Sequence, residues 1–228
     1  MSDGPNLPNA SGFTLRDATE KDLDDITRVH VEGFTEEPQV LYCYPWRHKY
    51  PEDHWNWTKR EYAEYLQQPS KYVVHVIKAS VPDQASGLGV TKPFGIAVWN
   101  IAVLTKSMAA DPGLDQRRDI DKRRLEAFLE KAGQRFKTYF WGEEQVNLST
   151  LVVHPDFRRR GGGTMLITWG IKRAESKGWP ATLCASPMGR FLYEHLGFQT
   201  IATEVVQVEG EEETLESTVM VLPPKEGL

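Results

Sequence analysis

The chain has 228 residues, and its composition excludes several classes of protein. Apolar residues make up 40% and charged residues 26%, which is typical of one folded globular domain and argues against wholesale disorder. The formal net charge of −5 argues against a nucleic-acid partner held by bulk positive charge.

The two cysteines, Cys43 and Cys184, lack the CxxC spacing of a zinc site and are too few for a disulfide framework. They are expected to be reduced thiols, and no metal is expected. The first residues show neither the basic nor the apolar part of a signal peptide, and the longest apolar stretch, 94–104, is too short to cross a bilayer. The sequence therefore predicts a cytoplasmic protein without a membrane partner.

Composition divides the chain into one domain with a lead-in, an insertion and a tail. Residues 1–12 are rich in Pro, Gly, Asn and Ser and predict a disordered lead-in. The domain is expected over 13–222, followed by a tail at 223–228. Within it, 105–137 carries nine basic and six acidic residues but few apolar ones. This pattern predicts an exposed insertion, mobile at 109–116, whose charge is mostly solvated.

Periodicity predicts alternating strands and helices along the domain. A capping-box pattern of Thr19 and Asp22 begins the first helix, and Pro38 is expected to end it. Strands are predicted over 13–16, 72–79, 93–104, 147–153, 181–185, 199–208 and 215–222, and further helices over 118–136, 163–177 and 188–196. This alternation, closed by a final hairpin, indicates an α/β or α+β fold.

Nine of the 24 aromatic residues lie between Phe34 and Tyr65. Two interpretations of this density stay open: a satellite of the core, or a pocket that binds an apolar or aromatic ligand. The polar tips of the tyrosines and tryptophans suit the second interpretation.

The stretch from Leu151 to Thr164, LVVHPDFRRRGGGT, is predicted to run from a strand through a basic loop and three glycines into a helix. Glycines at the start of a helix let a ligand approach the backbone and leave unpaired N–H groups pointing outward. Those groups and the helix dipole favour an anion such as a pyrophosphate. The stretch lacks the lysine of a P-loop, and Leu166 stands where a Rossmann fingerprint needs its third glycine.

The same stretch contains Arg158-x-x-Gly161-x-Gly163, which resembles the coenzyme A-binding motif of the GNAT superfamily of N-acetyltransferases. Two further blocks are similar to that superfamily, namely Leu192-Tyr193-Glu194-x-Leu196-Gly197-Phe198 and Leu15-Arg16-x-Ala18-Thr19-x-x-Asp22. The order of elements also resembles the family from about residue 13 to 222, apart from the insertion.

The resemblance implies an α/β (α+β) fold in a single domain, with acetyl-CoA as co-substrate. The central sheet would be mixed, mostly antiparallel, of about six to seven strands, flanked by helices and splayed at the fourth strand. The main chain of Leu151, Val152 and Val153 would pair with the pantetheine arm and the acetyl carbonyl. The pyrophosphate would be held by the backbone amides of Arg159, Arg160, Gly161, Gly162, Gly163 and Thr164. The side chains of Arg158, Arg159 and Arg160 add positive charge on the same rim.

The resemblance also implies that Tyr193 is the general acid that protonates the leaving thiolate, for which an ordinary phenol pKa near 10 is suitable. A half-buried structural tyrosine is the alternative. Ser186 stands where many members have a cofactor-contacting Asn, and it would be a weaker substitute. Ala181 stands where some members place a Glu base, so the acceptor amine would lose its proton another way. The candidates for that role are Glu36, His48, Glu143, Glu144 and His154.

The implied function is an acetyl-CoA-dependent N-acetyltransferase in which an amine attacks the thioester directly. The aromatic-rich stretch favours a small-molecule primary amine with an aromatic or apolar body as the acceptor. A protein lysine or N-terminal acetyltransferase, docked by the basic insertion, and a non-catalytic acyl-CoA-binding sensor are the alternatives. A homodimer is a further expectation, whereas neither nucleic acid nor a membrane is expected as a partner.

Overall fold

Seven strands form one sheet in the structure, a computed structural model that describes residues 12–82, 89–102 and 113–224. The strands are β1 (Thr14–Asp17), β2 (Tyr72–Pro82), β3 (Gly89–Asn100), β4 (Val146–Val153), β5 (Ala181–Ala185), β6 (Gln199–Gln207) and β7 (Thr214–Leu222). Their order in the sheet is β1-β2-β3-β4-β5-β7-β6, and among the described strands only β4 and β5 pair in parallel. The mixed, mostly antiparallel sheet predicted from the sequence is confirmed.

Helices cover both faces of this sheet. They are α1 (Leu23–Gly33), α2 (Pro38–Cys43), α3 (Pro51–Leu66), α4 (Lys122–Arg135), α5 (Gly162–Lys177) and α6 (Arg190–His195). On one face, Ile26 of α1 and Tyr62 of α3 share a buried cluster with Ile96 of β3. On the other face, Leu166 of α5 shares a buried cluster with Trp99 of β3. Even- and odd-numbered residues of β3, such as Ile96 and Trp99, thus point to opposite layers, as strand geometry requires.

Pro38 is the first residue of α2, so the prediction that it ends the first helix is wrong. Proline fits the first turn of a helix because the N–H it lacks would have no partner there. The preceding helix α1 ends at Gly33 instead. This arrangement places Glu37 immediately before α2.

The sheet opens between β4 and β5. β4 pairs with β5 only over Val146–Leu148, opposite Ala181–Leu183, and beyond Leu148 it pairs with β3 alone. The register between β3 and β4 shifts at this point, which leaves Ser149 as an extra residue in β4. Such a bulge bends and twists a strand, so it accounts for the divergence of β4 from its parallel neighbour. The predicted splay at the fourth strand is therefore present.

The predicted capping box joins β1 to the start of the first helix. Asp22 Oδ2 accepts hydrogen bonds from Thr19 N and Oγ1 at 2.9 and 3.0 Å. Both carboxylate oxygens also accept from Arg16, at 2.5 and 2.8 Å. Burial works to raise the pKa of Asp22, but the hydrogen bonds from Arg16 and Thr19 outweigh it and hold the pKa at about 2.

Asp22→Asn should lower the free energy of unfolding at pH 7 by about 2 kcal/mol, because a pKa depressed in the fold stabilises the ionised native state. The wild-type contribution is complete above the unfolded pKa near 4 and is lost as pH falls towards 2, so the variant should show a flatter acid dependence. Urea unfolding followed by circular dichroism at pH 7 and pH 3 measures both effects. Asp24→Asn, at an exposed position, is the control. Equal unfolding of Asp22→Asn and wild type at pH 7 would contradict the assignment.

The insertion is only partly exposed in its described part, residues 113–137, so the prediction of an exposed segment is wrong for the side that packs against the domain. Ile120 and Leu125 are 3% and 4% exposed and lie in a cluster with Tyr42 of α2 and Leu215 of β7. The predicted helix is present as α4. Of the stretch predicted to be mobile, 109–112 lies outside the described residues, and Leu114–Gln116 forms one 3-10 turn.

The charges of this segment contact α3, so they are not simply solvated. Arg117 donates to both carboxylate oxygens of the fully buried Asp119, at 3.0 and 2.7 Å. His54 Nδ1 of α3 lies 3.0 Å from the same carboxylate. Arg118 forms an ion pair with Asp53 of α3 at 2.5 Å. The scarcity of apolar residues in the segment is offset by these polar contacts, which sequence periodicity does not show.

Ile120→Ala should lower the free energy of unfolding by about 2–4 kcal/mol, because the deletion leaves a cavity in the cluster that joins the segment to α2. Denaturant titration measures this loss. Ile201→Ala, at a position 47% exposed, is the matched control and should change stability by less than about 1 kcal/mol. Equal changes in the free energy of unfolding for the two substitutions would support the prediction of an exposed insertion.

Candidate active site

The opening between β4 and β5 is lined by main-chain groups of β4. His154 N donates to Phe94 O at 2.7 Å, and the register pairs Val152 with Ile96 and Val153 with Gly95. Since hydrogen-bonded pairs alternate along an antiparallel ladder, Val152 bonds to β3 while Leu151 and Val153 direct their N–H and C=O groups to the opening.

The main chain of Val152 was predicted to pair with the cofactor, but it bonds to β3, and the side chain of Val152 has a structural role. Its side chain is 3% exposed and lies in the cluster beneath α1. A Cβ atom at Gly33 would lie only 2.3 Å from Val152 Cγ2, so the glycine lets the end of α1 approach β4 closely. Val152 therefore positions α1, and Leu151 and Val153 are the residues whose main chain faces the opening.

Arg158 ties the same two elements together. Its Nη2 donates to Gly33 O at 2.5 Å and its Nε donates to Val153 O at 3.2 Å. The half-buried guanidinium thus fixes the end of β4 against α1 instead of standing free on the rim of the glycine loop. Three main-chain groups remain directed at the opening: the N–H and the C=O of Leu151, and the N–H of Val153.

The glycine-rich loop forms a concave start to α5. Arg159 has φ +58° and is the one described non-glycine residue with a positive φ, and Gly161 follows with φ +84°. The first helical hydrogen bond runs from Met165 N to Gly161 O, so the N–H groups of residues 162–164 precede the ladder of the helix. This is the geometry of an anion site at a helix N-terminus. Arg159, Arg160 and Thr164 are exposed around it.

Tyr193 lies on α6 with its ring 7% exposed. The ring packs edge-on against Phe198, with centroids 5.9 Å apart. A Cβ atom at Gly189 would lie 3.1 Å from the ring and 3.7 Å from the hydroxyl, so the glycine admits the phenol beside the loop that follows β5. Burial, and then the charges of Glu37 and Cys184, raise the pKa of Tyr193 above the ordinary value assumed from the sequence.

Glu37 is a residue of this site that the sequence analysis missed. Glu37 is half-buried, and its carboxylate lies close enough to Ser186, the residue directly after β5, for that side chain to lower its pKa. The carboxylate also interacts electrostatically with Arg158 and Tyr193. Burial raises the pKa of Glu37, against the smaller opposing effects of Ser186 and Arg158. The Glu-Pro pair was a usable signal, because an acidic residue before a proline fits the start of a helix.

The candidate bases from the sequence lie elsewhere. Glu143 and Glu144 precede β4, whose length of about 25 Å separates them from the opening at its other end. Both ring nitrogens of His154 have partners, Glu32 at 2.9 Å and the Asp156 N–H at 3.3 Å. Two more candidates, Glu36 and His48, are exposed.

The aromatic stretch fits the interpretation of a satellite of the core, because several of its rings pack against arginines of the insertion. The Arg117 guanidinium lies 4.9 Å from the ring centre of Tyr44 and 5.5 Å from that of Trp57. Arg118 lies 4.8 Å from the ring centre of Tyr50. These rings hold the segment against α3, so they are not an empty pocket wall.

Within the described ranges, no group of three or more His, Cys, Asp or Glu side chains could hold a metal ion. None of the helices described is both long and apolar enough to span a membrane. The site to be explained is therefore the opening itself: main-chain groups of β4, the start of α5, and the side chains of Glu37, Ser186 and Tyr193.

Known proteins resemble this chain in sequence and in fold. A protein from Stachybotrys chartarum described as "Acetyltransferase" is 28% identical over 216 residues, which cover 90% of this chain and 89% of that protein. The crystal structure of histone acetyltransferase HPA2 and related acetyltransferase from Corynebacterium glutamicum superposes with a TM-score of 0.64 at 21% identity, covering 95% of this chain and 98% of that one. The structure of yncA from Salmonella typhimurium with acetyl-CoA gives a TM-score of 0.54 at 16% identity, covering 95% and 96%.

A family model described as an acetyltransferase (GNAT) domain matches residues 128–200. The matched range contains the end of α4, the splayed strand β4, the glycine-rich start of α5, and α6 with Tyr193. These matches agree with the fold and with the three sequence blocks: residues 128–200 are similar to a GNAT acetyltransferase domain, and the whole described fold is similar to that of solved acetyltransferases.

Proposed function

We propose that the chain transfers an acetyl group from acetyl-CoA to a primary amine within the opening between β4 and β5. The observation that carries the proposal is the meeting of three features at one place: main-chain groups of β4 that face away from β3, the N–H groups at the start of α5 that precede the helical ladder, and a buried phenol. Each feature suits one part of a bound thioester cofactor.

The residues present fit the cofactor. The N–H groups of residues 162–164 would donate to the pyrophosphate, a role that backbone donors and the helix dipole favour. Leu151 and Val153 would pair with the pantetheine arm as an added strand edge does. The structure of yncA with acetyl-CoA, which shares this fold, supports the choice of ligand.

Catalysis would depend on positioning and on charge stabilisation. When bound, the cofactor supplies the activated acetyl thioester. The N–H of Leu151 or Val153 would donate to the acetyl oxygen as negative charge develops there. Tyr193 would donate its proton to the departing sulfur, and its raised pKa keeps the phenol protonated through the neutral range.

The proposed acceptor is a small molecule with an apolar or aromatic body. Leu41, one helical turn from Glu37, is 48% exposed, and Met188, two residues from Ser186, is 51% exposed. These side chains would contact an apolar body while the carboxylate of Glu37 attracts the cationic amine. The alternative acceptor is a protein lysine or N-terminus, and the observation in its support is the likeness to a structure described as a histone acetyltransferase.

Release of free thiol from acetyl-CoA over a panel of amines tests the proposal. The panel contains small aromatic and aliphatic primary amines, a lysine-containing peptide and a peptide with a free N-terminus. We expect thiol release that requires an amine and is fastest with small apolar ones. Fastest release with a peptide would indicate that the acceptor is a protein lysine or N-terminus. Tight acetyl-CoA binding without any thiol release would indicate a non-catalytic sensor. The cytoplasmic location and the homodimer stay predictions.

A further inference from the structure

The opening between β4 and β5 brings together groups from opposite layers of the fold. Glu37 belongs to the layer of α1 and α2, whereas Tyr193 lies in the cluster packed under α5 on the other face. Where the sheet is intact, a strand separates these layers. At the opening the two side chains interact electrostatically, and Ser186 lies near Glu37. Ser186 Oγ also accepts from Gly189 N at 3.3 Å, and Gly189 lies against the ring of Tyr193.

The proposed reaction needs a proton acceptor at this place. A primary amine is mainly a cation at neutral pH and attacks only after it has lost a proton. Ala181 cannot accept one, and the candidates named from the sequence are exposed, engaged or at the other end of β4. Among the described carboxylates, Glu37 is the one placed at the opening by a contact to Ser186.

We infer that Glu37 is the catalytic base of this chain, an assignment that rests on the proposed function. Glu37 immediately precedes α2, so its carboxylate would bind the incoming ammonium from the α2 side of the opening. Ser186 lies near the carboxylate, and Arg158, held between Gly33 and Val153, keeps a positive charge near it.

The protons balance as follows. The ammonium gives one proton to the Glu37 carboxylate, which passes it to solvent, and the neutral nitrogen then forms the bond to the thioester carbon. As the carbon–sulfur bond breaks, Tyr193 protonates the sulfur. The second proton leaves the nitrogen through Glu37 and restores the Tyr193 hydroxyl. The products are the N-acetyl amide, free thiol and one proton in solvent.

Burial gives the carboxylate a chemical advantage in this role. Because burial raises the pKa of Glu37, its carboxylate binds a proton more strongly than the carboxylate of an exposed glutamate does. The wild-type rate should therefore rise with pH along a limb whose midpoint lies above the ordinary glutamate value of 4.5.

Glu37→Gln tests the inference, because the amide keeps the size of the side chain and cannot accept the proton. Single-turnover acetyl transfer to the best amine of the panel is measured between pH 5.5 and 10. We expect a loss of roughly 100-fold or more at pH 7, recovery towards the wild-type rate as pH passes the pKa of the free amine, and unchanged acetyl-CoA affinity by calorimetry. Glu37→Asp should retain part of the activity, and Glu20→Gln, at an exposed position, should behave as wild type.

Two results would overturn the inference while leaving the proposed function intact. One is a Glu37→Gln variant with the wild-type rate and pH profile. The other is a loss that is equal at every pH and accompanied by weaker acetyl-CoA binding, which would mark a structural role. Failure of the proposed function is distinguishable from both, because wild type itself would then release no thiol with any amine.

Discussion

Tyr193→Phe is expected to lower the single-turnover rate of acetyl transfer by roughly 100-fold or more, with acetyl-CoA affinity nearly unchanged. The substitution removes one hydroxyl and keeps the ring that packs against Phe198 and Gly189. Stability should therefore change by only about 1 kcal/mol. Rapid-quench measurement of product is the suitable assay, because release of CoA could limit steady-state turnover and hide the effect.

The pH profile adds a second readout for Tyr193. Because burial, Glu37 and Cys184 raise the pKa of the phenol, the wild-type rate with saturating amine should not fall as pH rises through 10. Tyr139→Phe, a half-buried tyrosine beyond α4, is the matched control and should keep the wild-type rate. If Tyr193→Phe also keeps the full single-turnover rate, water protonates the sulfur and the tyrosine is structural.

Gly163→Val is expected to weaken acetyl-CoA binding by roughly 100-fold, which corresponds to about 2.7 kcal/mol. Gly163 is the second residue of α5, where a branched side chain would crowd the N–H groups that face the pyrophosphate. The fold should survive, because the nearest atom to an added Cβ is Leu192 Cδ2 at 3.2 Å, the end of a flexible side chain.

Isothermal titration calorimetry measures this effect directly. Gly133→Val is the matched control, because Gly133 also lies in a helix and has no atom within 4 Å of an added Cβ. It should leave acetyl-CoA affinity unchanged. Unaltered affinity in a folded Gly163→Val variant would mean that the start of α5 does not hold the cofactor.

Local patterns in the sequence predicted most of the strands and the glycine-rich start of α5 well. The alternating strands and the three glycines before α5 are set by neighbours within a few residues, so periodicity and backbone chemistry reveal them. The Arg16–Asp22 ion pair also spans only six residues, and its block was visible in the sequence. Even the splay of β4 follows from a local bulge at Ser149.

Long-range contacts explain what the sequence did not show. The insertion is packed in part because Arg118 and Asp119 find partners on α3, Asp53 and His54, that are 65 positions away. The role of Arg158 depends on Gly33, which is 125 positions distant. Glu37 reaches the site only because α1 ends early and α2 begins at Pro38. No periodicity within a short window reports such pairs.

The location of CoA in a crystal structure of the complex tests the central claim most directly. We expect the sulfur to lie in the opening between β4 and β5, within about 3.5 Å of Tyr193 Oη, with the pyrophosphate on the N–H groups at the start of α5. Glu37 should lie on the α2 side of the sulfur, where the acceptor amine would approach. CoA bound on any other surface, or with its pyrophosphate away from the glycine loop, would contradict the account.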